Sequence, residues 1–204
     1  MHRVTEEHID ALQELINIGV GRAASILNDM VDSRILLQIP SVKVLSLADL
    51  QQELARRFDD SSFAAVRLSF TGSFSGTAEL VFPTESASTL VALLTGEESG
   101  SPDLDAVKIG TLSEIGNILI NGVMGSISNV LKQRMNYALP VYAEDSIEKL
   151  LLLDSYSIQT VFLLAQARFT IEQLELIGDI ILIFETSSFD VLLEAIDQEM
   201  GVVS

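Results

Sequence analysis

A chain of 204 residues, 48% of them hydrophobic, can bury a sizeable core and is too apolar for a disordered segment. Its net charge of −17 repels phosphate at long range and disfavours nucleic acid or an anionic membrane as a partner. With no cysteine and two histidines, His2 and His8, disulfides, thiol nucleophiles and Cys-type zinc sites are excluded, leaving chemistry to carboxylates, amides and hydroxyls.

The N-terminus has Glu6, Glu7 and Asp10 where a signal peptide would be basic and then apolar, and no apolar run approaches the roughly 20 residues of a membrane span. A cytoplasmic protein is expected. Lysines are confined to Lys43, Lys108, Lys132 and Lys149. Such a surface suits a high-salt cytoplasm, where the charge is screened, and equally an ordinary acidic cytosolic protein.

Periodicity predicts a long helix from Glu6 to Val31, with Thr5 as N-cap. A strand from Ser41 to Leu45, a short helix from Asp49 to Arg57 and strands Ala64–Thr71 and Gly76–Phe82 follow, the last two joined by a hairpin over Gly72–Gly76. A helix from Glu85 to Leu94 closes this half. Gly96–Pro102 reads as a polar linker, and Ser101-Pro102 places proline at the first position of a second long helix running to Met135. Extended stretches Ala138–Ala143, Ile158–Phe169 and Leu174–Phe184 come next, then a helix from Ser187 to Asp197.

The halves correspond. Glu14, Asn17 and Pro40 return as Glu114, Asn117 and Pro140 at an offset of 100, and Leu80–Thr84 resembles Leu182–Thr186 at an offset of 102. The expected architecture is α/β (α+β) and internally duplicated. One domain would span residues 1–204, with repeats of about 1–99 and 100–204, a mostly antiparallel sheet and two pseudo-equivalent long helices packed on it.

Projection at about 100° per residue puts Ile9, Leu12, Ile16, Val20, Ala23, Leu27 and Met30 on the core side of the first helix, and Asp10, Glu14, Asn17 and Gly21 opposite. On the second, Ile109, Leu112, Leu119, Val123, Ile127 and Val130 take the core sector, and Gly110, Glu114, Asn117 and Asn121 the outer one. A solvated helix face is the plain explanation. Asn, however, is a poor helix former with no packing reason to stand there, and it returns with Glu at the same register. Gly19 and Gly21 each weaken the helix by up to ~1 kcal/mol. Close packing explains such glycines, and Gly21 would also leave clearance for a docking partner.

A carboxylate and an amide on a convex face form a poor pocket but a reasonable protrusion into another protein's active site. The Asn amide both donates and accepts, so it can orient a water for in-line attack on phosphorus. Glu can pair with a lysine beside the partner's phosphoryl group. Both points fit catalysis in trans, with the partner supplying a phospho-aspartate and its metal.

The arrangement resembles the CheC–CheX–FliY family of chemotaxis phosphatases. Their signature is Asp or Ser, three residues, Glu, two residues, Asn, twenty-two residues, Pro. Asp10, Glu14, Asn17 and Pro40 match it in full; Glu114, Asn117 and Pro140 match it again, with Gly110 in place of the first residue. The resemblance implies hydrolysis of the phospho-aspartate on the response regulator CheY. Asn17 and Asn117 would position the water, and Glu14 and Glu114 would contact the regulator's lysine. Asp10, Gly21 and Asn121 would face the partner. No cofactor of its own is implied, and Mg²⁺ would sit on the regulator; the receptor deamidase CheD is a second implied partner. Gly110 makes the first helix the stronger candidate.

Two other classes fit the same residues. One is a module that docks a regulator or CheD without efficient turnover. The other is a structural component like the middle domain of the switch protein FliM, which would lose the Glu–Asn pairs. Gly19-Val-Gly21 lacks the third glycine of a dinucleotide fingerprint and lies inside a helix. Asp59-Asp60 and Glu97-Glu98 could hold a cation but read more simply as solvated loops, and the hydroxyls of Thr71–Ser75 lack a base.

Overall fold

The computed structural model describes residues 3–30, 34–57, 62–96, 104–151, 155–157, 159–171 and 174–201. His2, Val31, Asp59, Asp60, Glu97, Glu98, Ser101, Pro102 and Ile158, all named in the sequence reading, lie outside them. The elements are α1 (Glu6–Met30), β1 (Ile35–Leu45), α2 (Leu47–Arg57), β2 (Phe63–Gly72), β3 (Gly76–Pro83), α3 (Thr84–Thr95), α4 (Leu104–Val130), β4 (Met135–Tyr137), β5 (Val141–Asp145), α5 (Ile147–Leu150), β6 (Thr160–Ile171), β7 (Leu174–Glu185) and α6 (Thr186–Met200).

The seven strands form one antiparallel sheet in the order β1-β6-β7-β3-β2-β4, with β5 pairing the same edge of the sheet through β2. Each half therefore sends its first strand across to the other: β1 pairs β6, while β4 and β5 pair β2. The two hairpins meet in the middle, where Leu80 of β3 lies opposite Ile180 of β7.

Both faces of the sheet are covered, which is why its strands read as nearly continuous apolar runs. Ala64, Val66, Leu68 and Phe70 of β2 share one cluster with Leu12, Ile16 and Val20 of α1 and Leu112, Leu119 and Val123 of α4. Phe63 and Ala65, on the opposite parity, join Leu50 and Leu54 of α2 and Ile147 and Leu150 of α5. The long helices lie on the first face. They touch backbone to backbone at Gly19 and Gly122: a Cβ on Gly19 would stand 2.5 Å from the Gly122 carbonyl oxygen and the Val123 Cα. Close packing accounts for Gly19. A Cβ added at Gly21 would meet no other part of the structure within 4 Å.

Thr5 caps α1 as expected, its Oγ1 accepting from the His8 N–H at 3.2 Å, while His8 Nδ1 accepts from the Thr5 N–H at 3.1 Å. This is a capping box with histidine in the reciprocal position. With Nδ1 accepting, Nε2 carries the proton and donates to Asp197 Oδ1 at 2.9 Å, tying α1 to α6. His8 is 3% exposed and structural.

Several boundaries differ from the sequence reading. The second long helix ends at Val130, not Met135. Lys132 adopts a left-handed φ of 54°, and the Gln133 N–H bonds the Ser128 carbonyl at 2.8 Å, closing the helix in a Schellman-type turn before β4. Of the extended stretch Ala138–Ala143 only Val141–Ala143 is strand, as the start of β5; residues 138–140 lie between strands, and β4 falls where the end of the long helix was expected. β1 starts at Ile35 rather than Ser41, because Pro40 is absorbed in a bulge within it. The short α5 was not anticipated. Met30 and Ile109, assigned to the core, are 56% and 46% exposed, each several turns from the Gly19–Gly122 crossing.

Candidate functional site

Glu14 and Glu114 are exposed, and neither makes a hydrogen bond or ion pair to any described residue. Asp10 is exposed on the turn before Glu14. Three residues on from each glutamate, Asn17 and Asn117 are half-buried.

Asn17 does have a structural reason to be where it is, contrary to the sequence reading. Its Nδ2 donates to the Ile39 carbonyl at 3.2 Å, and its Oδ1 accepts from the Ile39 N–H at 3.0 Å. The register between β1 and β6 breaks between Gln38 and Ser41, so Ile39 and Pro40 stand out of the ladder. Gln13 Nε2 adds bonds to the carbonyls of Ile39 and Pro40, at 3.3 and 3.5 Å. Further along α1, Asn28 pairs with the backbone of Ile35 in the same two-point manner. β1 is an edge strand, and these amides take the place of a missing neighbour strand. Proline has no N–H to leave unpaired, so it sits in the bulge without cost to the ladder. The spacing from Asn17 to Pro40 thus has a physical meaning: the amide binds the residue before the proline.

The second half lacks this clamp. Leu139, which precedes Pro140, is 86% exposed, and residues 138–140 lie between strands. Asn117 Oδ1 instead accepts a hydrogen bond from Asn121 Nδ2, one helical turn on, at 2.7 Å. Among the described residues Asn117 Nδ2 has no partner. α4 is tied to β5 by Lys108, which is 5% exposed and pairs with Glu144. Burial pushes the Glu144 carboxyl up, but its bonds to Lys108 and the Tyr142 hydroxyl outweigh this and hold it below the usual range.

The structure therefore brings Asn121 onto Asn117 and leaves Gly21, its counterpart on α1, in open space. Gly110 is exposed, and a Cβ added there would meet nothing within 4 Å. Gly110→Ala should stabilise the protein by about 0.5–1 kcal/mol, as read from denaturant midpoints. Gly110→Asp fits without a clash and completes the second signature. It should lower the KM for a docking partner at α4 relative to Gly110→Ala.

No group of three or more His, Asp or Glu converges among the described residues, and none of their helices is long and apolar enough to cross a membrane. In the Thr71–Ser75 hairpin, Ser75 Oγ meets only the hydroxyl of Ser188 among the described residues, at 3.3 Å. The sequence reading missed one charged pair on the sheet face away from the long helices. Glu79 of β3 is fully buried, its Oε1 accepting from Arg67 Nε of β2 at 2.7 Å. Desolvation raises its pKa to about 7 against the lowering effect of Arg67, and among the described residues Oε2 has no partner. The pair borders a cavity of about 200 Å³ that Glu144, Asp145 and Lys149 also line. Its signal was present: one charge in each apolar strand of the hairpin, directly opposite in register.

Fold and site together define a mixed α/β protein with two sheet-packed helices, each presenting an exposed glutamate one turn from a held asparagine. No family model matches the chain. The CheY-P phosphatase CheC of Bacillus subtilis is 26% identical over 149 residues, covering 70% of this chain and 68% of CheC. The flagellar motor switch phosphatase FliY of the same organism is 23% identical over 139 residues, 67% of this chain but only 35% of FliY. Among solved structures, Thermotoga maritima FliY superposes with a TM-score of 0.74 at 16% identity, covering 97% of this chain and all of that one. CheX in the CheX–CheY–BeF3–Mg²⁺ complex of Borrelia burgdorferi has a TM-score of 0.52 at 17% identity, covering 85% and 99%. At these identities the structural matches carry the fold. The chain is homologous to CheC and FliY, and its fold is that of the FliY and CheX structures.

Proposed function

We propose that the protein hydrolyses the phospho-aspartate of a CheY-type response regulator, inserting Glu14 with Asn17 and Glu114 with Asn117 into the regulator's active site. The observation that carries this reading is the state of the pairs. Both glutamates are exposed and unengaged, while both amides are held in place by hydrogen bonds before any partner arrives. An amide fixed in advance costs less to order around an attacking water. The glutamate is free to meet the lysine beside the phosphoryl group and set the docking register. The asparagine is too weak a base to take the proton, so it acts by orienting the water. Asp10, Gly21 and Asn121 complete the faces presented to the regulator, and Mg²⁺ comes with the regulator. CheD is a further partner on this reading. The chain works as one domain of two repeats, about 1–99 and 100–204, in the cytoplasm with its substrate.

Docking without turnover is the second reading, favoured at α1 by the commitment of the Asn17 amide to Ile39. One experiment separates the two. Phosphate loss from the phosphorylated regulator with Mg²⁺ should accelerate with the wild type, on the order of 10²-fold, and return to the spontaneous rate with Glu14→Ala/Glu114→Ala. Decay unchanged by the wild type would leave only docking.

A further inference from the structure

We infer that Asn121 is the positioning residue of the α4 site, doing through its side chain what the Ile39 backbone does for Asn17. The inference deepens the phosphatase reading and rests on it. An amide that orients water must have its oxygen and nitrogen ends assigned, since a rotation of 180° exchanges donor and acceptor. On α1 the assignment is made by a strand. Ile39 N–H meets Oδ1 and Ile39 C=O meets Nδ2, so only one orientation satisfies both. On α4 that strand is not available, because Leu139 is 86% exposed and carries no bond to Asn117.

Asn121 supplies the missing assignment. Residues i and i+4 are neighbours on a helix face, and the Asn121 Nδ2 lies 2.7 Å from Asn117 Oδ1. Both side chains are half-buried on the same face of α4. The oxygen end of Asn117 is thereby engaged along the helix, and both protons of its Nδ2 stay available. The corresponding residue of α1 is Gly21, which has no side chain to do this and needs none, since Asn17 is already clamped. The two sites reach the same ordered amide by different means. The helix that lost the strand clamp is the one with an asparagine at this position.

The test uses Glu14→Ala protein, so that turnover is read from α4, with phosphate loss followed against the concentration of phosphorylated regulator and Mg²⁺. Asn121→Ala should lower kcat about 10-fold with KM within about twofold, because Glu114 still docks. Asn121→Asp has the same shape but offers only acceptors. It should turn the Asn117 amide round and lower kcat about 100-fold, more than the truncation does. Asn121→Gln, which can still donate from the next turn, should recover kcat to within about threefold of the background. Melting temperatures should not follow this order, as they would if Asn121 only supported the helix. Unchanged kcat in Asn121→Ala and Asn121→Asp, with Asn117→Ala inactive, would overturn the inference and leave the phosphatase reading standing. An inactive Glu14→Ala background beside an active wild type would overturn it too, since α4 would then have no turnover to support. An inactive wild type would overturn both.

Discussion

Asn17→Ala is expected to lose stability as well as turnover, whereas Asn117→Ala should lose turnover alone. The difference follows from what each amide holds. Ile39 is 2% exposed, and its N–H faces Asn17 from the free edge of β1. Truncation orphans that N–H, while Gln13, at 3.3 Å, still serves the carbonyl. One buried donor left unpaired costs about 1–3 kcal/mol, a large share of a typical domain's stability. Among the described residues Asn117 bonds only the side chain of Asn121, which water can replace in a half-buried site, so its truncation should stay within about 0.5 kcal/mol. Both variants should slow phosphate loss at their own site by on the order of 10²-fold. Urea midpoints measured beside the kinetics check this. Asn17→Asp keeps an acceptor for the Ile39 N–H and gives up the donor, so it should recover most of the stability without the turnover. Equal midpoints for the two alanine variants would show that the clamp carries no weight in folding.

The family signature takes on a structural content here that its spacing alone does not show. Asn17 and Pro40 belong to one local device, a bulged edge strand held by a helix. Selection for that device can retain Asn and Pro whether or not the amide ever meets a phosphoryl group. The weight of the functional reading therefore falls on the glutamates, which hold nothing in the structure, and on Asn117, whose clamp is gone while its residue type persists.

The helices and the buried stripe of each were legible because period 3.6 and the choice of apolar residues are set by the sheet beneath them. Leu12, Ile16, Val20 and Ala23 are fully buried, as the projection requires. The stripe failed at Met30 and Ile109, since periodicity continues along a helix after the packing beneath it thins. The early start of β1 was hidden by Pro40, which usually argues against a strand and here marks its bulge. The partner of Asn17 could not be read at all. A hydrogen bond to a backbone twenty-two residues away leaves no trace in side-chain type, and neither does the exchange of first strands between the halves. Glu79 was legible in principle, but its pairing depends on the register around Gly72–Gly76, which places Arg67 opposite it.

That buried pair makes the second large prediction, in which the stability of the protein falls as pH rises through neutrality. Desolvation is the largest influence on Glu79 and lifts its pKa from 4.5 to about 7, exceeding the charge and hydrogen bond of Arg67. Between those values the folded chain keeps a proton that the unfolded chain has released. The folded state binds more protons, so stability decreases with rising pH. The contribution is complete below pH 4.5 and is lost as pH passes about 7. Its upper size is about 3 kcal/mol, at roughly 1.4 kcal/mol for each unit. Glu79→Gln cannot ionise, so it should gain on the wild type as urea midpoints are taken from pH 5 to pH 8. Arg67→Ala should do the reverse. It leaves the carboxylate buried without a counter-charge, costing about 3–5 kcal/mol at pH 8 and less at pH 5, where Glu79 is protonated. Arg67 also donates to the Leu150 carbonyl, so part of its cost should persist at every pH. Wild type and Glu79→Gln midpoints that move in parallel would place the pH dependence elsewhere. Because the pair lies on the sheet face opposite α1 and α4, neither variant should alter the KM for the regulator while the protein is folded.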